Sequence, residues 1–282
     1  MNLSRPEAEL YIPDGTDEEA ALARTTHLAI GAHQDDLEIM AAHGILACYE
    51  AEDQWFTGVT VTHGGGTPRS GAYADYSDEQ MIEARNEEQR EAARLGRYTA
   101  QFLLAHPSAA VKERKHSPAV ADIEQILRAT TPRFLYTHNL ADKHDTHIGV
   151  ALRVIEAVRR LPLAERPKSV YGCEVWRDLD WLVDDEKYIF DLSEHEELQD
   201  ALVAVFQSQI AGGKRYDLAA MGRRRAHATY SASHVVDNAS GASFAMDLTP
   251  LAEDDRLDPA AYVCGCIDRL RMDVRDRIER FR

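Results

Sequence analysis

Two clusters of polar residues carry nitrogen and oxygen ligands at spacings that could hold a metal ion. The first is the segment HQDD at positions 33–36, in which a histidine and two aspartates follow an apolar run. The second is an H-x-x-H pair, His144 and His147, and residues three apart share one face of a helix. Histidine and aspartate are ligands of catalytic zinc, which keeps one position open for water. The clusters therefore predict a metal-dependent hydrolase, in which the aspartate that does not bind the metal is free to act as general base.

Each cluster also has a simpler interpretation. An aspartate at the start of a helix is commonly an N-cap, because the helix dipole favours a carboxylate there. An isolated H-x-x-H pattern is weak evidence of a site and is commonly incidental. The occurrence of both clusters in one chain, each after an apolar run, favours chemistry over capping.

The elements that must position these clusters alternate short apolar runs with longer amphipathic ones, which is typical of βαβ units around a parallel sheet. Strands are predicted at Thr26–His33, Phe56–His63, Tyr98–Ala105, Arg133–His138, Ser169–Trp176, Lys187–Leu192 and Ser243–Leu248. Helices are predicted from the first strand to Glu50, and at Asp78–Gly96, Pro118–Ala129, Thr146–Arg160, Glu194–Gln209, Tyr216–Tyr230 and Pro259–Phe281. The predicted fold class is α/β, a Rossmann-like, mostly parallel sheet with helices on both faces and a C-terminal α/β elaboration. We expect a single domain over 1–282, with a core at about 24–232 and the elaboration at about 233–282.

The polar clusters follow the carboxyl ends of predicted strands. The segment 33–36 follows the first strand, His63 and three glycines end the second, and His138 through His147 follow the fourth. Ligands of open α/β sheets bind beyond the carboxyl ends of the strands. We therefore expect these three segments to converge on one site.

The composition limits the partners. The chain has 282 residues, a formal net charge of -16 and a sequence pI near 5.2. So acidic a surface disfavours nucleic acid and anionic membranes as partners, and no apolar run approaches the roughly 20 residues that span a bilayer. Four scattered cysteines and an acidic N-terminal segment favour a reducing, cytoplasmic location.

The two clusters together resemble a known family. GAHQDDLE at 31–38, paired with D-x-H-x-x-H at 142–147, is similar to the LmbE/PIG-L family of zinc-dependent de-N-acetylases, which includes GlcNAc-PI de-N-acetylase. The resemblance runs from roughly Thr26 to Tyr230 and includes THGGG at 62–66, an R-x-x-E pattern at 85–88 and Ser208-Gln209. It implies an α/β hydrolase that removes an N-acetyl group from an amino sugar or glycoconjugate.

Carried over by position, the resemblance implies a role for each residue of the two clusters. His33, Asp36 and His147 would bind zinc, although Fe²⁺ or another divalent metal suits the same ligands. Asp35 would be the general base for a water that the metal activates, and His144 would stabilise the oxyanion. The implied partner is a small N-acetylated molecule.

The sequence departs from the family pattern at three positions. Gln34 replaces a proline, Thr146 replaces the carboxylate that usually precedes the second histidine, and Gln207 replaces a histidine. Without that carboxylate, either Asp142 or Asp145 could orient His144.

Several further residues have a structural interpretation as well as a functional one. Arg85 and Glu88 are expected to form a structural ion pair, and His43 to pack in the core. His138 is expected to shape the end of its strand, and Trp176 either packs or stacks on a sugar.

Other functions stay open at this stage. One is an amidase acting on a non-sugar N-acyl metabolite or biosynthetic intermediate, and another is a non-catalytic family member. A nucleotide-binding module is disfavoured, because the three glycines follow the second strand and lack the G-x-G-x-x-G spacing. The segment Asp258–Arg282 could pack on its own sheet or on a partner, so a homo-oligomer stays open.

Overall fold

The computed structural model describes residues 1–114, 117–211 and 213–282. Its strands are β1 (Glu9–Tyr11), β2 (His27–Gly31), β3 (Phe56–Thr62), β4 (Ala100–His106), β5 (Phe134–His138), β6 (Ser169–Cys173), β7 (Lys187–Asp191) and β8 (Ala242–Asp247). They form one sheet in the order β1-β4-β3-β2-β5-β6-β8-β7. The five strands from β4 to β6 in that order pair in parallel, whereas β1, β8 and β7 join antiparallel.

Helices cover both faces of this sheet. They are α1 (Glu18–Ala23), α2 (Asp36–Met40), α3 (Ala42–Tyr49), α4 (Asp78–Leu95), α5 (Ser108–Val111), α6 (Ser117–Thr130), α7 (Asp145–Arg160), α8 (Glu196–Ala204), α9 (Gln207–Ile210), α10 (Tyr216–Tyr230), α11 (Thr249–Glu253) and α12 (Pro259–Arg280). The alternation of side chains along β2 explains the two layers, since neighbouring residues point to opposite faces. Leu28 and Ile30 pack in the cluster that includes α6 and α7, and Ala29 packs with Leu37 and Ile45 of α2 and α3. The predicted α/β fold, with a mostly parallel sheet and helices on both faces, is confirmed.

Two predicted helices are interrupted. The helix expected to reach Glu50 is divided into α2 and α3 at Ala41, whose φ of −110° and ψ of 20° leave the helical region. The helix predicted over 194–209 is divided into α8 and α9, because the chain leaves helical geometry at Phe206 (ψ 60°). Strand β1 was not predicted, since three residues are too few to show a period.

The C-terminal region contributes both to the sheet and to the surface. Strand β8 lies between β6 and β7, so the predicted core and elaboration share one sheet, and the boundary between them stays a prediction. Helix α12 buries Val263 and Cys266 against the body, whereas Ile267, Val274 and Ile278 are exposed. The predicted packing on the chain's own core therefore holds for its first turns, and a homo-oligomer stays a prediction. Among the described residues, no helix combines the length and apolar character that crossing a membrane requires.

Candidate active site

The turn after β2 places two carboxylates at the end of the strand. Oδ2 of Asp36 accepts hydrogen bonds from the backbone N–H groups of Ala32 (3.1 Å) and His33 (2.7 Å). Asp35 has a φ of 99°, a left-handed conformation that is rare for residues other than glycine. Such strained backbone is held only where the surroundings fix it, and it is common at functional sites. The turn therefore directs the two neighbouring carboxylates to different surroundings.

His33, Asp36 and His147 lie together at this strand end. Nδ1 of His33 is 3.4 Å from Oδ2 of Asp36, and Nε2 of His147 is 3.4 Å from Oδ1 of the same carboxylate. The three potential ligand atoms lie within 4.8 Å of one another. Within the described residues, the buried Nε2 of His147 has no hydrogen-bond partner. A buried ring nitrogen that makes no hydrogen bond and faces a carboxylate needs a partner, which a bound cation would supply. The group of His33, Asp36 and His147 could therefore hold a metal.

Asp142 supports His147. Its Oδ2 lies 3.1 Å from Nδ1 of His147, and its carboxylate also accepts hydrogen bonds from the backbone N–H groups of residues 143, 144, 176 and 177. A carboxylate that receives Nδ1–H leaves Nε2 unprotonated, the form in which histidine binds a metal. We expected either Asp142 or Asp145 to orient the side chain of His144. For Asp142 this is wrong, because its carboxylate orients the ring of His147 and accepts only the backbone N–H of His144. In the described part of the chain, Nδ1 of His144 has no hydrogen-bond partner.

His138 contributes more than the shape of its strand. Its Nε2 accepts the N–H of Ala32 at 2.9 Å and lies 3.3 Å from Oδ2 of Asp36, and its ring stacks on His147 at 3.8 Å between centroids. It also forms a second possible metal group with Asp142 and His147. That group is fully buried and its carboxylate already accepts five hydrogen bonds, whereas a catalytic metal needs an open position. The first group, beside the cleft, fits a catalytic metal better.

The two neighbouring aspartates have opposite electrostatic surroundings. Burial raises the pKa of Asp35 well above its usual range, although Arg85, with its Nη2 3.7 Å away, opposes that shift. Burial also raises the pKa of Asp36, but His147 and His138 outweigh burial and hold that pKa well below its usual range. Two carboxylates with divergent pKa values are suited to different tasks, one to accept and release a proton and the other to stay ionised.

Arg85 links the turn after β2 to the glycine loop after β3. Its Nη2 donates to the carbonyl of Gln34 (2.7 Å) and its Nη1 to that of Gly64 (3.2 Å). Gly64 has a φ of 68°, and a Cβ there would crowd Oε1 of Gln34 and Nη1 of Arg85 (3.0 Å), so any other residue at this position would be strained. The prediction that Arg85 and Glu88 form an ion pair is wrong. Glu88 instead accepts hydrogen bonds from N–H (2.7 Å) and Oγ (2.6 Å) of Ser208, and so ties α9 to α4.

A cleft of about 500 Å³ opens above these groups. His33, Asp35, Asp36 and His144 lie in its wall, as does Trp176, for which both packing and sugar stacking were open. Gln209, which the resemblance included, also lines it, as do Lys214 and Tyr216, which the sequence analysis missed. Neither of the last two residues follows a strand end that would have singled it out. His43 lies elsewhere, stacked on Phe190 at 4.2 Å and bonded to the hydroxyl of Tyr136.

Comparison with protein families supports the sequence resemblance. Residues 28–158 match the PIG-L family, described as GlcNAc-PI de-N-acetylase. The chain carries a PIG-L domain. This domain includes both clusters, from β2 through α7, and thus all five residues that the sequence analysis singled out for metal binding and catalysis.

Solved structures similar to this chain share its fold. The conserved protein TT1542 from Thermus thermophilus is 20% identical with a TM-score of 0.62, and the match covers 79% of this chain and 94% of that one. N,N'-diacetylchitobiose deacetylase from Pyrococcus horikoshii is 18% identical with a TM-score of 0.58 (78% and 83% covered). GalB, the 4-carboxy-2-hydroxymuconate hydratase from Pseudomonas putida KT2440, is 16% identical with a TM-score of 0.58 (79% and 96% covered). A deacetylase and a hydratase thus share this fold, so the fold alone does not decide the reaction.

Proposed function

We propose that the protein is a metal-dependent hydrolase that removes an N-acetyl group from an amino sugar or glycoconjugate. The observation that carries the proposal is the unpartnered Nε2 of His147, held beside Asp36 and His33 next to an open cleft in the described part of the chain. The PIG-L match over residues 28–158 supports the same activity. The four free cysteines agree with a cytoplasmic location, which we retain as part of the proposal.

His33, Asp36 and His147 would hold the metal, with Zn²⁺ as the proposed ion and Fe²⁺ as the alternative that accepts the same ligands. A divalent metal at this position supplies Lewis-acid polarisation of a carbonyl and lowers the pKa of a coordinated water. The carboxylate of Asp36 is held ionised by its two histidine neighbours. Asp142 fixes the ring of His147, so the ligand set is oriented before any ion arrives.

Asp35 and His144 line the same cleft. Asp35 would transfer the proton, and His144 would stabilise the oxyanion. Asp35 would take a proton from the water as its oxygen attacks the acetamide carbon. It would then pass that proton to the amine nitrogen as the C–N bond breaks, so that acetic acid and a free amine leave; the acid then gives up its proton in solution and the amine takes one up. Burial raises the pKa of Asp35 toward the range in which a carboxyl group can both accept and return a proton. The ring of His144, 5.1 Å from that of His33, would donate an N–H to the oxyanion.

The substrate class is tested by acetate release from zinc-loaded protein. N-acetylglucosamine glycosides form one panel, and N-acetylated amino acids of similar size form the other. Turnover of the glycosides alone supports the proposal. Turnover of the amino acids alone would favour the amidase alternative, and no turnover of either would favour a non-catalytic member.

Three variants separate the proposed roles. Asp35→Asn should retain zinc and lose at least about 100-fold in turnover, since a general base typically contributes that much. Asp36→Ala and His147→Ala should lose zinc affinity as well. Zinc content is measured by elemental analysis after dialysis. Equal metal loss in all three variants would contradict the assignment of Asp35 as base.

A further inference from the structure

An arginine of α10 contacts the short helix that carries the proposed metal ligand Asp36. Nη2 of Arg224 donates to the backbone carbonyls of Glu38 (2.7 Å) and Ile39 (3.3 Å), both near the end of α2. We propose that Arg224 is a positioning residue, whose contacts with α2 keep the carboxylate of Asp36 in place among the proposed metal ligands. This inference rests on the proposed function, and it adds to the metal group a supporting residue that lies outside the PIG-L match at 28–158.

Helix α2 depends on other elements for its position. It has only five residues, whereas helices shorter than roughly 12 residues are marginal in isolation. Ile39 lies three residues after Asp36, about 4.5 Å along the helix axis, so a contact at Ile39 also restrains the ligand at the start of the helix. Carbonyl groups in the last turn of a helix need donors from elsewhere. The helix ends at Ala41, and Arg224 supplies such donors just before that break.

The burial of Arg224 indicates that its charge serves the end of α2. The residue is 4% exposed, and burial lowers the pKa of its guanidinium from 12.5 to about 10, so the group stays charged at neutral pH. In the described part of the chain its side chain bonds no carboxylate, and Nη1 donates to Oε1 of Gln199 (2.9 Å) and Sδ of Met221 (3.3 Å). A buried cation without a carboxylate is costly. The end of a helix favours a cation, so the carbonyls of α2 offset part of that cost.

Gln199 of α8 fixes the guanidinium from another side. Its Oε1 accepts from Nη1 of Arg224, and its Nε2 donates to the backbone carbonyls of Leu192 (2.9 Å) and Glu194 (2.7 Å), just after β7. Gln199 is itself buried, so water does not compete for these bonds. Arg224 thus ties α2 to α8 and to the segment after β7. The place of Asp36, at the end of β2, therefore depends on contacts with the C-terminal half of the chain.

The test measures the zinc affinity of each protein by competition with a chelator, with urea unfolding of the metal-free protein alongside. It compares wild type with Arg224→Met, which removes the charge and the donors, and with Arg224→Lys, which keeps the cation on one nitrogen. Arg166→Met is the control. The Arg166 side chain is also largely buried, and it bonds three backbone carbonyls and the carboxylate of Asp255. It precedes β6, at the opposite end of the strands from the site.

We expect Arg224→Met to bind zinc about tenfold more weakly than wild type, the lower end of the range for loss of a group that supports a metal ligand. Arg224→Lys should bind zinc about threefold more weakly, as after loss of one hydrogen bond, and it decides the test if Arg224→Met does not fold. Arg166→Met should keep wild-type zinc affinity although its urea midpoint falls. Wild-type zinc affinity in the folded Arg224 variants, or equal weakening in Arg166→Met, would overturn the inference.

Hydrogen exchange of the metal-free protein keeps this inference separate from the proposed function. If wild type binds no zinc, the proposed function fails, and the exchange rates of backbone amides in residues 33–41 still test whether Arg224 holds the turn and α2. Exchange about fivefold faster in this segment of Arg224→Met or Arg224→Lys, and unchanged in Arg166→Met, supports the positioning contact alone. Wild-type exchange of this segment in the Arg224 variants overturns it.

Discussion

Replacement of Asp142 by asparagine tests whether the support of His147 matters for metal binding. The Asp142 carboxylate accepts five hydrogen bonds, three at Oδ1 and two at Oδ2. An asparagine keeps one accepting oxygen and places an NH₂ group in the other position. The new amide side chain can rotate, but in either orientation at least two N–H groups lose their acceptor.

The magnitudes follow from those contacts. A hydrogen bond to a charged group contributes roughly 1.5–3 kcal/mol, so loss of two should lower the free energy of unfolding by about 3–6 kcal/mol. His147 also loses the carboxylate that fixes its ring and its tautomer. Removal of such a partner of a metal ligand typically costs roughly 10–100-fold in metal affinity, and we expect Asp142→Asn to weaken zinc binding by about that factor.

The assay is a zinc titration against a chromophoric chelator at neutral pH, with urea unfolding of the metal-free protein alongside. Asp145→Asn is the matched control. Asp145 is exposed and begins α7, the helix that carries His147, and its substitution removes one negative charge, as Asp142→Asn does. It should leave both quantities close to wild type. Wild-type zinc affinity in Asp142→Asn, or equal weakening in Asp145→Asn, would refute the reasoning.

Three further predictions concern stability. In Gly58→Ala, the new Cβ would lie 2.9 Å from Cδ1 of Leu37, so urea unfolding should show a free energy of unfolding lower by about 1–3 kcal/mol. In Gly222→Ala, the Cβ enters open space on α10, and the free energy of unfolding should rise by about 0.5–1 kcal/mol. Burial lowers the pKa of His43 from 6.5 to about 4, so the folded state favours the neutral ring. The contribution of His43 to the free energy of unfolding is complete above pH 6.5 and declines as pH falls toward 4. His43→Phe should therefore lose less stability than wild type between about pH 7 and about pH 4.5, and equal losses in the two proteins would contradict a lowered pKa of His43. Glu88→Gln should lower the free energy of unfolding by about 1–2 kcal/mol, because an amide can accept only one of the two bonds from α9; no change in the urea midpoint would show that this link is dispensable.

The sequence predicted the parallel strands and the meeting of the two clusters because both depend on local patterns. A buried strand shows as an apolar run, and a parallel sheet brings the carboxyl ends of its strands to one edge. The partner of Asp142 could not be predicted in this way. Its carboxylate faces His147 because the chain between β5 and α7 turns at Asn139, which donates to the carbonyl of Cys173 and accepts from Ala141.

The positions of His138 and of Lys214 depend on contacts between distant segments. His138 touches the end of β2 because β5 pairs with that strand in a particular register, and one residue of slip would turn its side chain to the other face. Lys214 and Trp176 both line the cleft and are in cation–π contact, although they lie far apart in sequence. The position of β8 between β6 and β7 is likewise set by long-range pairing.

That position of β8 has a consequence for how the chain is made. As the protein leaves the ribosome, β7 emerges before β8, yet β8 is its partner in the sheet. Until residues 242–247 are synthesised, β7 has no strand to pair with and β6 has one open edge, and unpaired edges recruit other chains. A nascent or truncated chain that ends before Ala242 should therefore aggregate, even though it contains every residue of the proposed active site.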